Sequence, residues 1–235
     1  MNSTIGVDKC LSFINAELHP GLAPHDLGRR FTAVTISRQA GSGGHDLAAR
    51  LSELLQTQEP QPSWPWTVFD RDLVEKALED HNLPKRLARF LPEDHVSEIT
   101  DTMDELFGLH PPSWVLIRQT SETILRLAKV GHVILIGRGA NVVTSRFPEV
   151  FHVRLVGSLA QRVKRLQIRN HLSRDAALKL AEREDLARQR YLKQFFSKSI
   201  DDPLLYHLVI NTDVLSIEDA AKLIALEMSP KAAVT

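Results

Sequence analysis

The run from Phe31 to Leu47, FTAVTISRQAGSGGHDL, constrains the fold more than any other stretch, because it leads from an apolar segment through three glycines into a helical pattern. Val34 and Ile36 lie in the β-rich part, Gly41, Gly43 and Gly44 follow, and Leu47, Ala48, Leu51, Leu54 and Leu55 recur at helix spacing. A turn of this kind lets backbone N–H groups point inward at an anion, and the helix behind it adds its positive end. The plainer alternative is a tight strand-to-helix turn with no ligand, since glycine turns are common.

The spacing resembles the phosphate loop G-x-x-x-x-G-K-[ST] of nucleotide-binding proteins, with three departures. If Gly43 is the second glycine, the first falls on Arg38, the lysine on Gly44 and the hydroxyl residue on His45. Arg38 is the natural replacement for the missing lysine charge; its alternative is a structural ion pair directed elsewhere.

Beyond the loop, short apolar runs alternate with helical segments. Strands are predicted at residues 31–37, 67–70, 132–136, 151–156 and 207–211, and helices at 71–82, 94–107, 113–130, 158–170 and 176–195. This alternation implies an α/β fold, a parallel sheet with helices on both faces, and it sets the glycine loop at the carboxyl edge of the sheet, where such folds bind ligands. Residues 56–66, rich in proline and polar side chains, read as a loop, and residues 83–94 hold a basic segment between Pro84 and Pro92. The helical stretch 94–130 is longer than a simple crossover needs, which suggests an insertion. Residues 1–30 form an N-terminal extension, with Val7, Leu11, Ile14 and Leu18 on one helical stripe before the breakers Pro20, Gly21 and Pro24. That helix packs either on the core or on a second subunit, and the latter would make a homo-oligomer.

Composition removes several function classes. The 29 basic and 29 acidic residues balance, so no overall charge drives binding to nucleic acid or to an anionic membrane. No apolar run approaches the roughly 20 residues that span a bilayer, and no basic-then-apolar leader opens the chain, so a soluble protein is expected. The single cysteine, Cys10, excludes an intramolecular disulfide and a thiolate metal cluster, in keeping with a reducing cytoplasm. Ten histidines are scattered without a two-histidine helix pair, so no metal-ligand residues are assigned.

Four segments in order, ISRQAGSGG (36–44), VFDRDL (68–73), LIGRGAN (135–141) and YHLVINT (206–212), resemble the cytidylate kinase-like family of P-loop proteins. The likeness covers residues 31–228 and leaves 229–235 as a tail. It implies a nucleoside monophosphate kinase fold with a core five-stranded parallel sheet, a helical acceptor-binding insert (about 71–130) and an arginine-rich lid (about 162–195). Family loops usually carry arginine after GSGG; here the residue is His45, which near neutral pH is only partly protonated and lacks the two-pronged grip of a guanidinium.

Phosphoryl transfer needs donor and acceptor held in line, with positive charge where negative charge develops. The segment 162–190 supplies Arg162, Arg165, Arg169, Arg174, Arg183, Arg188 and Arg190. On composition alone these form a solvated face paired with Glu182, Glu184 and Asp185. The resemblance assigns Arg188 to phosphate and Asp185 to orienting the acceptor or the arginine. With Arg38 they form the expected catalytic set. The ATP-binding set is Gln39, Ala40, Gly41, Ser42, Gly43, Gly44 and His45, with Arg162 and Arg165 facing the donor. The acceptor set is Asp70, Arg71 and Arg138, of which Asp70 has the alternative role of capping the following helix. ATP with Mg2+ is the expected donor, and Ser42, water-linked Asp70 or the phosphates themselves are the candidate ion partners. The expected activity is phosphorylation of a nucleoside monophosphate, CMP or dCMP by resemblance. The alternatives are a nucleotide-binding protein without turnover and a kinase of another small metabolite.

Overall fold

A computed structural model describes residues 31–58, 65–70 and 115–229. In chain order they form β1 (Ala33–Arg38), α1 (Gly44–Thr57), β2 (Thr67–Phe69), α2 (Val115–Val130), β3 (Val133–Ile136), α3 (Ala140–Val143), β4 (Val150–Val156), α4 (Leu159–Asn170), α5 (Arg174–Phe196), a 3-10 turn at Pro203–Leu205, β5 (Leu208–Asn211) and α6 (Ile217–Met228). The five strands make one parallel sheet in the order β2-β3-β1-β4-β5. The expected α/β fold is what the chain adopts. β1 lies between β3 and β4, so the loops that leave these three strands open on one edge.

Strand periodicity assigns the two faces different work. Val34, Ile36, Ile134, Ile136, Phe151, Val153 and Leu155 point to one face, where they pack with Leu47, Leu51 and Leu55 of α1 and with Ile224 and Met228 of α6. The alternate positions include Thr35, Ser37, His152 and Arg154, all buried. Thr35 Oγ1 bonds His152 Nδ1 at 2.8 Å, and Arg154 Nη1 donates to Ser37 Oγ at 3.0 Å, so adjacent strands are tied by side chains as well as by the ladder. Helices α2 and α3 pack on β3 and β1.

The strands fall within a residue or two of the expected positions; the helices depart in four ways. Helix α6 was not anticipated; its buried stripe is Ala220, Ala221, Ile224, Ala225 and Met228. The short α3 was also unforeseen. Helix α1 runs to Thr57, into the expected 56–66 loop, and Trp66 at the far end of that loop is buried. Residues 115–130, expected at the end of the insert, form core helix α2, with Ile124, Leu125, Leu127 and Ala128 fully buried. The expected helices at 71–82 and 94–107, the extension 1–30, the tail from 230 and Arg71 lie outside the described residues.

Helices α4 and α5 build the arginine-rich arm. Ser158 and Ser173 cap their N-termini by accepting from the amides of Gln161 and Ala176. Between them His171 takes a left-handed conformation, φ 53°, that ends α4. Val163 and Leu166 meet Ala177 and Ala181 in a small cluster that also holds Ala40, so the arm rests directly on the glycine loop.

Candidate active site

The loop from Gln39 to His45 turns on Gly41 and Gly43, whose φ angles of 76° and 86° are left-handed. A Cβ at Gly41 would lie 2.4 Å from the Arg162 carbonyl oxygen, and one at Gly43 would lie 2.6 Å from Ile217 Cδ1. Both glycines are therefore required by packing as well as by φ. Fewer main-chain amides are left for an anion than the expected 39–45 span would supply. The Gln39 amide donates to the Leu155 carbonyl at 3.0 Å, the Ser42 amide to the Gln39 carbonyl at 3.2 Å, and the Ala40 amide to Asp185 Oδ1 at 2.6 Å. The amides of Gly41, Gly43, Gly44 and His45 have no acceptor among the described residues. The Ser42 hydroxyl is buried and donates to the Gln39 carbonyl at 2.7 Å, so it faces into the turn rather than toward a metal ion.

Two cavities open beside the loop. One, of about 630 Å³, is bordered by the loop glycines and by Arg165 and Arg169 of α4. The other, of about 470 Å³, is bordered by Asp70, Arg138 and, from α5, Tyr191 and Leu192. Four residues border both: Arg38, His45, Glu184 and Arg188. Two separate chambers thus share one charged boundary.

Arg38 explains two of the loop's departures together. Its Cγ lies 3.0 Å from where a Cβ on Gly44 would be, and its Nη1 lies 2.0 Å from the equivalent point on Gly137. Glycine at both positions makes room for the guanidinium, so the chain has a glycine where the lysine would be because Arg38 occupies that space. Burial, with Arg188 and Arg138 nearby, lowers the Arg38 pKa to about 10, Glu184 and Asp70 opposing the shift in part. A guanidinium so desolvated and crowded by like charge favours an arriving anion.

The other expected residues divide into those at the cavities and those behind them. Arg188 donates to Glu184 Oε2 and, at 3.2 Å, to Asp185 Oδ1. Asp185 also accepts from the Ala40 amide and from Arg162 Nη1, which ties the arm to the loop and aims Arg188 at the shared boundary. Arg162 departs from its expected position facing the donor. Its guanidinium is buried and donates to the carbonyls of Ala40 and Gly157, each at 2.9 Å, and to Asp185 Oδ2 at 2.7 Å, so it braces the loop from behind. Arg165 borders the larger cavity and is steadied by Thr212 Oγ1 at 3.0 Å. Gln39 turns its side-chain oxygen to the Gly157 amide at 2.9 Å. Asp70 Oδ2 stands 3.6 Å from His45 Nε2, linking β2 to the loop across the boundary. Arg138 sits at φ 54° between Gly137 (81°) and Gly139 (69°), three left-handed residues in a row, and its Cζ lies 5.8 Å from the Tyr191 ring centre.

Glu184 and Tyr191 were missed as site residues. The available signal was their spacing, four residues before Arg188 and three after it, which puts all three on one face of α5.

Among known proteins, a cytidylate kinase of Pyrobaculum neutrophilum is 36% identical over 191 residues, which cover 81% of this chain and 89% of that enzyme. A cytidylate kinase of Pyrobaculum aerophilum is 32% identical over 107 residues, 45% of this chain and 57% of that protein. The chain thus spans little more than half of this second relative. A solved structure of an uncharacterized protein from Eubacterium ventriosum superposes with a TM-score of 0.58 at 16% identity, over 86% of this chain and all of that one, a likeness of fold alone. The sequence model of the cytidylate kinase-like family matches residues 33–214, the stretch that carries the loop, both cavities and the arm. With that match and the Pyrobaculum neutrophilum likeness, the chain belongs to the cytidylate kinase-like family.

Proposed function

We propose that this protein transfers a phosphoryl group from ATP to a nucleoside monophosphate, with CMP or dCMP as the favoured acceptor. The observation that carries this reading is the pair of cavities meeting at Arg38 and Arg188. A transfer between two phosphates needs two binding sites with cations where they meet, and little else from the protein. The names of the Pyrobaculum relatives support the choice of acceptor.

In this reading the donor triphosphate lies in the larger cavity. The amides of Gly41, Gly43, Gly44 and His45 and the start of α1 receive its phosphates, and Arg165 lies along them. The acceptor monophosphate lies in the smaller cavity, held by Arg138; Arg71, the second expected acceptor cation, lies outside the described residues. Arg38 and Arg188 flank the transferring group and offset its developing charge, while Asp185 keeps Arg188 aimed and the loop in place. Mg2+, when bound with the donor, would reduce the charge on its phosphates. Glu184 at the boundary and Asp70 on the side of the smaller cavity are carboxylates that suit an ion which keeps most of its waters. Among the described residues no group of three or more His, Cys, Asp or Glu forms a protein-only metal cage, so the ion would be carried largely by the nucleotide.

A coupled ADP-release assay with ATP, Mg2+ and a panel of monophosphates tests the proposal. ADP release that requires CMP or dCMP, and falls at least about a hundredfold in Arg138→Met through a raised KM, is the expected result. Triphosphate binding with no acceptor-dependent turnover would instead identify a nucleotide-binding protein without activity. Turnover only with acceptors lacking a nucleobase would identify a different small-molecule kinase.

A further inference from the structure

One buried guanidinium on the polar face of the sheet has no part in the proposed reaction. Arg154, in β4, is 4% exposed, and in the parallel ladder it is the register partner of Ser37, the residue before Arg38. Its Nη1 donates to Ser37 Oγ at 3.0 Å and its Nη2 to Asp201 Oδ1 at 2.7 Å, while its Cζ lies 5.7 Å from the centre of the Tyr206 ring. The Tyr206 hydroxyl donates to the Ile200 carbonyl at 2.8 Å and stands 3.3 Å from Ser37 Oγ. One cation thus gathers the carboxyl-terminal halves of β1 and β4 and the segment that follows the arm.

Asp201 carries the connection on to the arm itself. Helix α5 ends at Ser197, which is left-handed at φ 54°, and the chain then doubles back, so that Asp201 Oδ2 comes within 3.5 Å of Gln189 Nε2. Arg38 and Arg188, the cations that border both large cavities, therefore each adjoin a residue tied to Arg154: Ser37 directly, and Gln189 through Asp201. A third cavity, of about 30 Å³, lies among Arg38, Arg154, Arg188 and Gln189. It has room for about one or two waters. A nucleotide does not reach Arg154 through it, so Arg154 acts through its neighbours.

Stability does not account for a charge in this place. A buried ion pair is often no more stable than apolar side chains of the same volume, because desolvation offsets the attraction. What such a pair supplies is direction, since buried hydrogen bonds that must be made fix where both of their ends lie.

We propose that Arg154 is a positioning residue for phosphoryl transfer, holding Arg38 and Arg188 at a fixed separation through Ser37 on one side and through Asp201 and Gln189 on the other. This rests on the reading of Arg38 and Arg188 as the cations that flank the transferring group. Misplacing such groups by about 1 Å is enough to cost about a hundredfold in rate. Binding of the two nucleotides depends instead on the loop amides, Arg165 and Arg138, which Arg154 does not touch. Loss of Arg154 therefore shows in kcat and not in KM.

Steady-state kinetics with ATP and CMP, together with thermal unfolding, test this on wild type, Arg154→Met, Asp201→Asn, Arg38→Met, Arg188→Met and the double variant Arg154→Met/Arg188→Met. Arg154→Met keeps the stem and removes the charge. It is expected to lower kcat about tenfold or more, with KM for ATP and for CMP each within about threefold of wild type and the melting temperature little changed. Asp201→Asn, at the more exposed end of the pair, keeps a weaker hydrogen bond and should lower kcat about threefold or more. It decides the matter if Arg154→Met does not fold. In the Arg188→Met background the Arg154→Met change should cost about threefold or less, since one of the two groups it positions is gone. Unchanged kcat in Arg154→Met and Asp201→Asn would overturn the proposal. So would equal losses in the two backgrounds, a KM that rises in step with the fall in kcat, or a kcat that merely follows the folded fraction. A wild type without transfer to CMP, or Arg38→Met and Arg188→Met with kcat intact, would refute the parent reading and this inference with it. If those two variants lose activity while Arg154→Met and Asp201→Asn keep it, this inference fails alone.

Discussion

The two faces of the central sheet are built from the same three strands and do opposite things. Val34, Ile36, Ile134, Val153 and Leu155 close one face against α1 and α6 with no polar side chain among them. Thr35, Ser37, His152 and Arg154 alternate with them on the other, in hydrogen bonds and an ion pair that reach Asp201 and Tyr206 in the segment after the arm. The apolar face stabilises by removing area from water and is indifferent to direction. The polar face gains little net energy per bond but fixes positions, because an unmade bond there is costly. This fold therefore places its stability on one side of β1 and the supports of its site on the other.

Four substitutions would break or sharpen that contrast. The largest effect is expected from Arg38→Met. In the proposed reaction it lowers kcat by about a hundredfold or more while the melting temperature holds or rises, since the change relieves a buried, repelled charge. A matching loss of stability in thermal unfolding would show that Arg38 serves the core instead. On the apolar face, Leu51→Ala should cost about 2–5 kcal/mol in denaturant unfolding and leave the KM values of the folded fraction unchanged.

The polar face should show itself as pH dependence. His152 is buried beside Thr35, and burial, helped by His207, lowers its pKa from 6.5 to about 4. The unfolded chain therefore takes up this proton first, and stability is lost as pH falls from about 6.5 to about 4, by on the order of 3 kcal/mol. Denaturant unfolding at a series of pH values should give a shallower decline over that window in His152→Gln than in wild type; identical slopes would remove the histidine from the account. The smallest effect is expected from Arg50→Ala. The Arg50–Glu218 pair, at 2.6 Å and 3.0 Å, joins α1 to α6 on the exposed side. Solvent screening there leaves little to lose, and differential scanning calorimetry should barely distinguish the variant.

Most of the fold was legible because its signals are local. Val133–Ile136 is apolar on both faces, as a buried parallel strand must be, Val150–Val156 interrupts an apolar run only at His152 and Arg154, and Gly41 and Gly43 mark a turn only glycine makes without strain. Helix α6 carries an apolar pattern of its own, with Ser216 as its N-cap and Ala220, Ala221, Ile224, Ala225 and Met228 on its buried side, and was overlooked all the same. At the site, Arg138 stood out as a cation between glycines, Arg38 as the charge nearest the missing loop lysine, and Arg188 through the family resemblance. The bracing role of Arg162 was not, because in sequence it is one arginine among seven, and only its three acceptors, from the loop, the turn after β4 and α5, distinguish it.

The positions of the strands along the chain, the glycine loop and the arginine-rich arm follow from the sequence by itself, since periodicity and glycine sterics act over a few residues. Tertiary structure alone decided which guanidinium faces an anion and which holds the loop from behind. It also decided that Arg38 fills the space left by Gly44 and Gly137, and that Asn141 borders a cavity. These outcomes depend on the volume and hydrogen-bond acceptors contributed by segments remote in the chain, and a side chain's neighbours at that distance are set only when the sheet closes.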